Sequence, residues 1–209
     1  MINDKSYYDG AVALWREWNG KINVISRKDD DCIYEHHILH SLAIARYFEL
    51  FYPSMSFEGA SFLDLGTGGG FPGIPLAMNY PGARFVLCDS IGKKVKVARA
   101  VADGLAIGNV ECVNARAEGI EGPFDWVVSR AVAPLDRLYP WVKGRFGRSV
   151  ICLKGGDIAS ETALLMQRFH IDGRKIRSWR ISEWLDDEYF KEKFVIEVGK
   201  DYLCPPVFE

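Results

Sequence analysis

Apolar residues in the first sixty positions recur at helical spacing. Tyr8, Val12, Trp15 and Trp18 form one stripe, and Ile38, Leu42, Ala45 and Phe48 form another within residues 34–51. The spacing predicts an α-helical N-terminal extension over residues 1–60. From Ser61 the pattern changes to short β-rich runs at residues 62–65, 84–89, 109–114, 125–129 and 150–154. Helical stretches at residues 74–79, 93–105, 135–144 and 158–169 follow four of these runs. This alternation predicts an α/β core over residues 61–209, built on a mostly parallel sheet. Two later runs, residues 175–181 and 194–199, are expected to bring the sheet to seven strands as an antiparallel hairpin pair.

Composition narrows the class. The chain has 209 residues, of which 48% are apolar and 26% charged, as expected of one folded domain rather than a disordered chain. Its 26 Lys and Arg against 28 Asp and Glu leave a formal charge of -2, which excludes a bulk cationic surface. Any contact with nucleic acid must come from a local basic patch. The opening residues lack a basic region followed by an apolar stretch, and no run approaches the roughly 18 apolar residues of a membrane span. A cytoplasmic chain with no membrane contact is expected. Five scattered cysteines without a CxxC pair suit a reducing compartment, and residues 204–209 have the wrong length for a four-residue prenylation signal.

The most informative segment is Phe62-Leu63-Asp64-Leu65-Gly66-Thr67-Gly68-Gly69-Gly70-Phe71-Pro72-Gly73, a β-run that ends in a glycine-rich turn before a helix. Residues without Cβ adopt positive φ and let backbone approach a nucleotide closely. The dinucleotide fingerprint fails because Phe71 stands where its third glycine belongs, and no Gly-Lys-Ser/Thr completes a Walker loop. An acid two residues before alternating glycines, Asp64-x-Gly66-x-Gly68-x-Gly70, does fit. It resembles motif I of the Rossmann-like methyltransferases that use S-adenosylmethionine. Asp89, at the end of the second β-run, matches the acid that takes ribose hydroxyls in such folds. An ordinary tight turn and a solvated strand end or helix N-cap are the alternatives for these residues.

Four further stretches sharpen the likeness: Gly66 through Ala77, Asp89-Ser90-x-x-Lys93-Lys94, Phe124-Asp125-x-Val127-x-Ser129-Arg130-Ala131, and Leu153-Lys154-Gly155-Gly156. With Trp18-Asn19, Asn23 and His37-Ile38-Leu39 upstream, the chain resembles the bacterial RsmG (GidB) family. That resemblance implies a Rossmann-like methyltransferase fold and methyl transfer from S-adenosylmethionine to N7 of a guanine in 16S ribosomal RNA. It implies cofactor contacts at Gly66, Phe71, Asp89, Ala117, Glu118 and Arg130; Arg130 and Lys154, basic residues at the sheet edge, are the candidates to meet the RNA. The substrate would be 16S RNA, free or in an assembling small subunit, and the enzyme is expected to act as a monomer. One position departs: where the family commonly has Asp, this chain has His40.

Guanine N7 carries an in-plane lone pair and no proton, so methyl transfer to it needs alignment rather than a base. Accordingly no catalytic acid or base is assigned. Neither an Asn-Pro-Pro-Tyr nor a Pro-Cys motif follows the fourth run, and Cys152 reads as a small buried hydrophobe. His36, His37 and His40 lack a third-ligand motif, so no metal is expected. Basic candidates for RNA are Lys93, Lys94, Lys96, Arg99, Arg116, Arg130, Lys154, Arg145 and Arg148, and their joint use predicts binding that falls steeply with salt. Phe71 and Trp141 are candidates to stack on a base, whereas Trp15 and Trp18 fall at core spacing. Two other functions remain beside this one: a small-molecule methyltransferase, and a cofactor-binding RNA assembly factor without turnover. A NAD enzyme fits least.

Overall fold

The computed structural model describes residue 2 and residues 4–203, so the expectation for residues 204–209 lies outside the described residues. Helix α1 spans Asp9–Lys21. The second helical stretch is not uniform: Ile33–Leu39 winds as a π-helix before α2, His40–Phe51. The wider π winding frees backbone carbonyls from the regular ladder. Here the His36 carbonyl accepts from Arg130 (3.4 Å) and from the Tyr189 hydroxyl (3.2 Å). A periodicity argument averages over such a local change of winding.

The remainder is β1 Ser61–Leu65, α3 Gly73–Asn79, β2 Arg84–Asp89, α4 Gly92–Gly104, β3 Val110–Asn114, β4 Phe124–Arg130 and α5 Leu135–Val142. It continues with β5 Phe146–Gly155, α6 Ile158–Phe169, β6 Ile176–Arg180 and β7 Lys193–Gly199. The seven strands lie in the order β3-β2-β1-β4-β5-β7-β6. Strands β1 to β5 are parallel, and β7 runs antiparallel to both of its neighbours. The two late strands do pair, but β7 inserts between β5 and β6 rather than closing a tight hairpin. Its residues Val195 to Val198 are buried, which suits a central strand, and the long connection carries Tyr189 and Phe190 back to the N-terminal helices.

Alternating strand residues face two layers, as the period of two requires. Phe62, Phe85, Trp126 and Ile151 pack in one core with the N-terminal helices, α3 and α4. Leu63, Val86, Val127 and Val150 pack in a second with α5 and α6. Glu197 on β7 ties α2 to the sheet. Fully buried, it accepts from Tyr47 Oη and Tyr52 Oη at 2.6 Å each and pairs with Arg177 at 3.6 Å. A buried carboxylate is tolerable only with such partners. Among the described residues no helix is long and apolar enough to cross a membrane.

Candidate functional site

In this strand order the connections from β1 run to one side, toward β2 and β3, while β4 and β5 lie on the other. Open α/β sheets bind ligands in the crevice beside the carboxyl ends of the strands at such a switch point. The glycine loop leaves β1 there, and the segment Arg130–Ala131 ends β4 beside it. The loop is braced from within by Asp64. Its Oδ2 accepts from Thr67 Oγ1 (2.6 Å) and from the Gly73 amide (2.8 Å), which folds the turn back onto the start of α3. Burial pushes the Asp64 carboxyl up to about 7. Gly66 has φ +73°, and a Cβ there would lie 2.2 Å from Val132 Cγ2, so both backbone and neighbour require glycine.

Asp89 holds the same loop from the second strand. Its Oδ2 accepts from the Gly68 amide (3.0 Å), and its Oδ1 from the Ile91 amide at the start of α4 (2.8 Å). A carboxylate oxygen accepts more than one hydrogen bond, so Asp89 keeps capacity for ligand hydroxyls. This bracing role was not legible in the motif spacing, which shows the acid without its partners.

Gly66, Phe71, Asp89, Ala117, Glu118 and Arg130 all line one cavity of about 450 Å³, together with Lys94, Arg116 and Trp141. That size lies within the range of small-ligand sites. The lining suits a nucleoside joined to an amino acid. Asp89 offers acceptors for sugar hydroxyls, the Ala115–Ala117 wall is compatible with a neutral base, and Arg130 offers a cation for a carboxylate.

Arg130 is half-buried and has no carboxylate within ion-pair distance among the described residues. Its Nη2 lies 3.0 Å from His37 Nδ1, and its guanidinium carbon stands 4.9 Å from the Phe71 ring centroid. Desolvation lowers the guanidinium to about 10, which leaves it charged at neutral pH. Trp15 stacks on Phe71 at 4.2 Å and donates from Nε1 to the Gly69 carbonyl at 2.7 Å. Phe71 is thus buried between Trp15 and Arg130 and is not a platform for a base, contrary to the expectation from its type. Trp15 is core, as its spacing predicts, but its bond to the glycine loop carried no sequence signal.

Lys154 does not line this cavity. It lines a second one of about 480 Å³ that shares Arg130 and Ala131 with the first. There its Nζ donates to the Ala133 carbonyl and pairs with Glu161. Of the other basic candidates, Lys94 and Arg116 lie at the first cavity and Arg145 donates to the Glu118 carbonyl. Arg148 instead borders a cleft with Asp125 at the opposite end of the strands. One basic surface therefore does not include all nine.

His36 bonds Asp29 at 2.8 Å and stacks on Tyr189, His37 meets Arg130, and His40 is buried beside Tyr189. Among the described residues no three His, Cys, Asp or Glu side chains gather in a metal-holding group. Burial lowers His37 to about 3 and His40 well below its ordinary 6.5, so both stay neutral. Their contribution to stability is complete above the unfolded value and is lost as pH falls below it. Asp64 runs the other way, its contribution complete below 3.8 and lost as pH rises toward about 7. His40→Gln removes one histidine and leaves Asp64 in place. Its unfolding free energy should lose about 2 kcal/mol less than wild type between roughly pH 7 and pH 5. Urea unfolding at the two pH values checks this, and parallel losses would show that His40 takes up a proton in the folded state.

Comparison with known proteins gives the family. Residues 7–182 match the family described as GidB, rRNA small subunit methyltransferase G. The ribosomal RNA small subunit methyltransferase G of Flavobacterium psychrophilum is 43% identical over 200 residues, covering 91% of this chain and 88% of that protein. The protein of the same name from Porphyromonas gingivalis is 47% identical over 201 residues, covering 92% and 85%. In fold the chain is similar to magnesium protoporphyrin IX methyltransferase from Synechocystis, solved with bound S-adenosylmethionine. The TM-score is 0.62 at 17% identity, over 94% of this chain and 95% of that one. The glycine loop, the acid that ends β2 and the match along most of its length place the chain in the rRNA small subunit methyltransferase G family, S-adenosylmethionine-dependent methyltransferases of small-subunit ribosomal RNA.

Proposed function

We propose that the enzyme methylates N7 of one guanine in 16S ribosomal RNA, free or within an assembling small subunit, and acts as a monomer. The observation that carries the site assignment is the convergence of Gly66, Phe71, Asp89, Ala117, Glu118 and Arg130 on one cavity at the carboxyl edge of the sheet. Asp89 would hold the ribose hydroxyls of S-adenosylmethionine, Ala117 and Glu118 would flank its adenine, and the glycine loop would lie along its sugar and methionine. Arg130 lines both cavities and would serve the cofactor carboxylate and an RNA phosphate.

When bound, S-adenosylmethionine supplies an electrophilic methyl carbon, whose bond electrons stay with sulfur as the N7 lone pair forms the new bond. No proton moves, so the protein's work is to orient the base and exclude water. Neutral His37 and His40 fit this, since neither carries charge to the acceptor side. Cys152 lies buried within β5, and burial raises its thiol to about 12, away from thiolate chemistry. In A-form RNA the groove that shows N7 is deep and narrow, which favours an unstacked guanine as the target.

The test is transfer of labelled methyl from S-adenosylmethionine to unmodified 16S RNA or small subunits, then nuclease digestion and nucleoside mass spectrometry. A new 7-methylguanosine is expected, with RNA binding that weakens steeply with salt. Cofactor binding without any methylated nucleoside would favour the small-molecule or assembly-factor function instead.

A further inference from the structure

The second cavity has a chemistry of its own. Among its lining residues Glu161 is the only carboxylate, set among Arg130, Lys154 and Lys193, with the Tyr189 ring beside them. Glu161 is held through one oxygen alone: Oε1 accepts from the Leu135 amide at 2.6 Å and from Lys154 Nζ. Its Oε2 has no hydrogen-bond partner among the described residues. The side chain is only 18% exposed. A carboxylate pinned at one oxygen and open at the other is a fixed acceptor for a ligand donor.

We infer that this cavity receives the target guanine and that Glu161 Oε2 accepts a hydrogen bond from its 2-amino group, making Glu161 a specificity residue. This rests on guanine N7 in RNA being the acceptor. The two cavities meet at Arg130 and Ala131, so a base in the second presents one edge toward the first. Guanine carries adjacent acceptors O6 and N7 on that edge and donors N1–H and N2–H on the far side of O6. With O6 toward the Arg130 guanidinium, N7 turns to the cofactor cavity and the donors turn to the carboxylate. Adenine reverses both contacts: its 6-amino donor would face a cation and its N1 lone pair a carboxylate. Lys154 is then a positioning residue, which fixes Glu161 rather than meeting phosphate. A site built to satisfy a donor discriminates strongly against a base that lacks it, because its own acceptor is left unpaired.

The experiment compares RNA carrying guanosine or inosine at the target position, inosine being guanosine without the 2-amino group, with wild type and Glu161→Gln. Wild type should show kcat/KM for inosine lower by about 10- to 100-fold, and the guanosine-to-inosine ratio should fall to within about threefold in the variant. Comparing ratios between enzymes cancels the different intrinsic nucleophilicity of the two purines. Stabilisation by S-adenosylhomocysteine, measured on both proteins, should be equal, because Glu161 does not line the cofactor cavity. Equal rates on both RNAs by wild type, or a ratio that survives Glu161→Gln, overturns the inference. Glu161→Ala is measured alongside and carries the same ratio comparison should Glu161→Gln fail to fold. Failure of the underlying function looks different: wild type then makes no 7-methylguanosine from the guanosine RNA, and the inference falls with it.

Discussion

Arg130→Ala is expected to lower kcat/KM by about 100-fold or more, roughly 3 kcal/mol of transition-state stabilisation, with little change in unfolding free energy. The asymmetry follows from its surroundings. Arg130 spends one contact on the His36 carbonyl and one on His37, both modest, and has no carboxylate at ion-pair distance among the described residues. A half-buried cation without an anion bears a desolvation cost, so its removal roughly balances the lost hydrogen bonds. The same uncompensated charge is what an anionic group of cofactor or RNA would meet. Arg130→Lys should recover part of the loss, since it restores charge without the planar fork. Steady-state kinetics beside urea unfolding checks both halves, and near-normal turnover by a folded Arg130→Ala enzyme would remove Arg130 from the site.

Trp15→Ala should cost about 3 to 5 kcal/mol of stability, as for other large aromatic side chains removed from cores. Trp15 is fully buried, stacks on Phe71 and satisfies the Gly69 carbonyl, so its loss opens a cavity directly beneath the glycine loop. Trp15→Phe separates the two roles. It retains a ring against Phe71 but loses the hydrogen bond and part of the buried volume, about 1 to 3 kcal/mol. If that bond sets the height of the loop, Trp15→Phe should weaken S-adenosylhomocysteine binding several-fold while destabilising the fold less than Trp15→Ala does. Calorimetric titration with denaturant unfolding distinguishes the cases, and unchanged affinity would leave Trp15 a core residue alone.

Much of this was legible because it is encoded locally. The short β-runs alternating with helices foretold the parallel strands, since a strand buried on both faces reads as a nearly continuous apolar segment. Asp64, Gly66, Gly68 and Gly70 stood out because the conformations they permit depend on their own side chains. Asp89 stood out by order and spacing alone. What was missed acts across distance. Phe71 looked free to stack on a base until Trp15, fifty-six positions earlier, closed one face and Arg130 stood near its ring. That Lys154 reaches the Ala133 carbonyl and Glu161 carried no sequence signal either. The basic residues looked like one set until the sheet placed Arg148 at its opposite end.

By itself the sequence determined the elements, the turn that must be glycine and the class of ligand, because periodicity, φ preference and motif spacing are properties of neighbouring residues. Only the tertiary structure decided that β7 enters the sheet between β5 and β6 and that Trp15 supports the glycine loop. Only there do Arg130 and Ala131 separate two cavities, and only there does Glu161 keep one oxygen open in the second. The physical reason is that a hydrogen bond or a shared cavity wall depends on spatial approach between segments far apart in the chain, which no local pattern records.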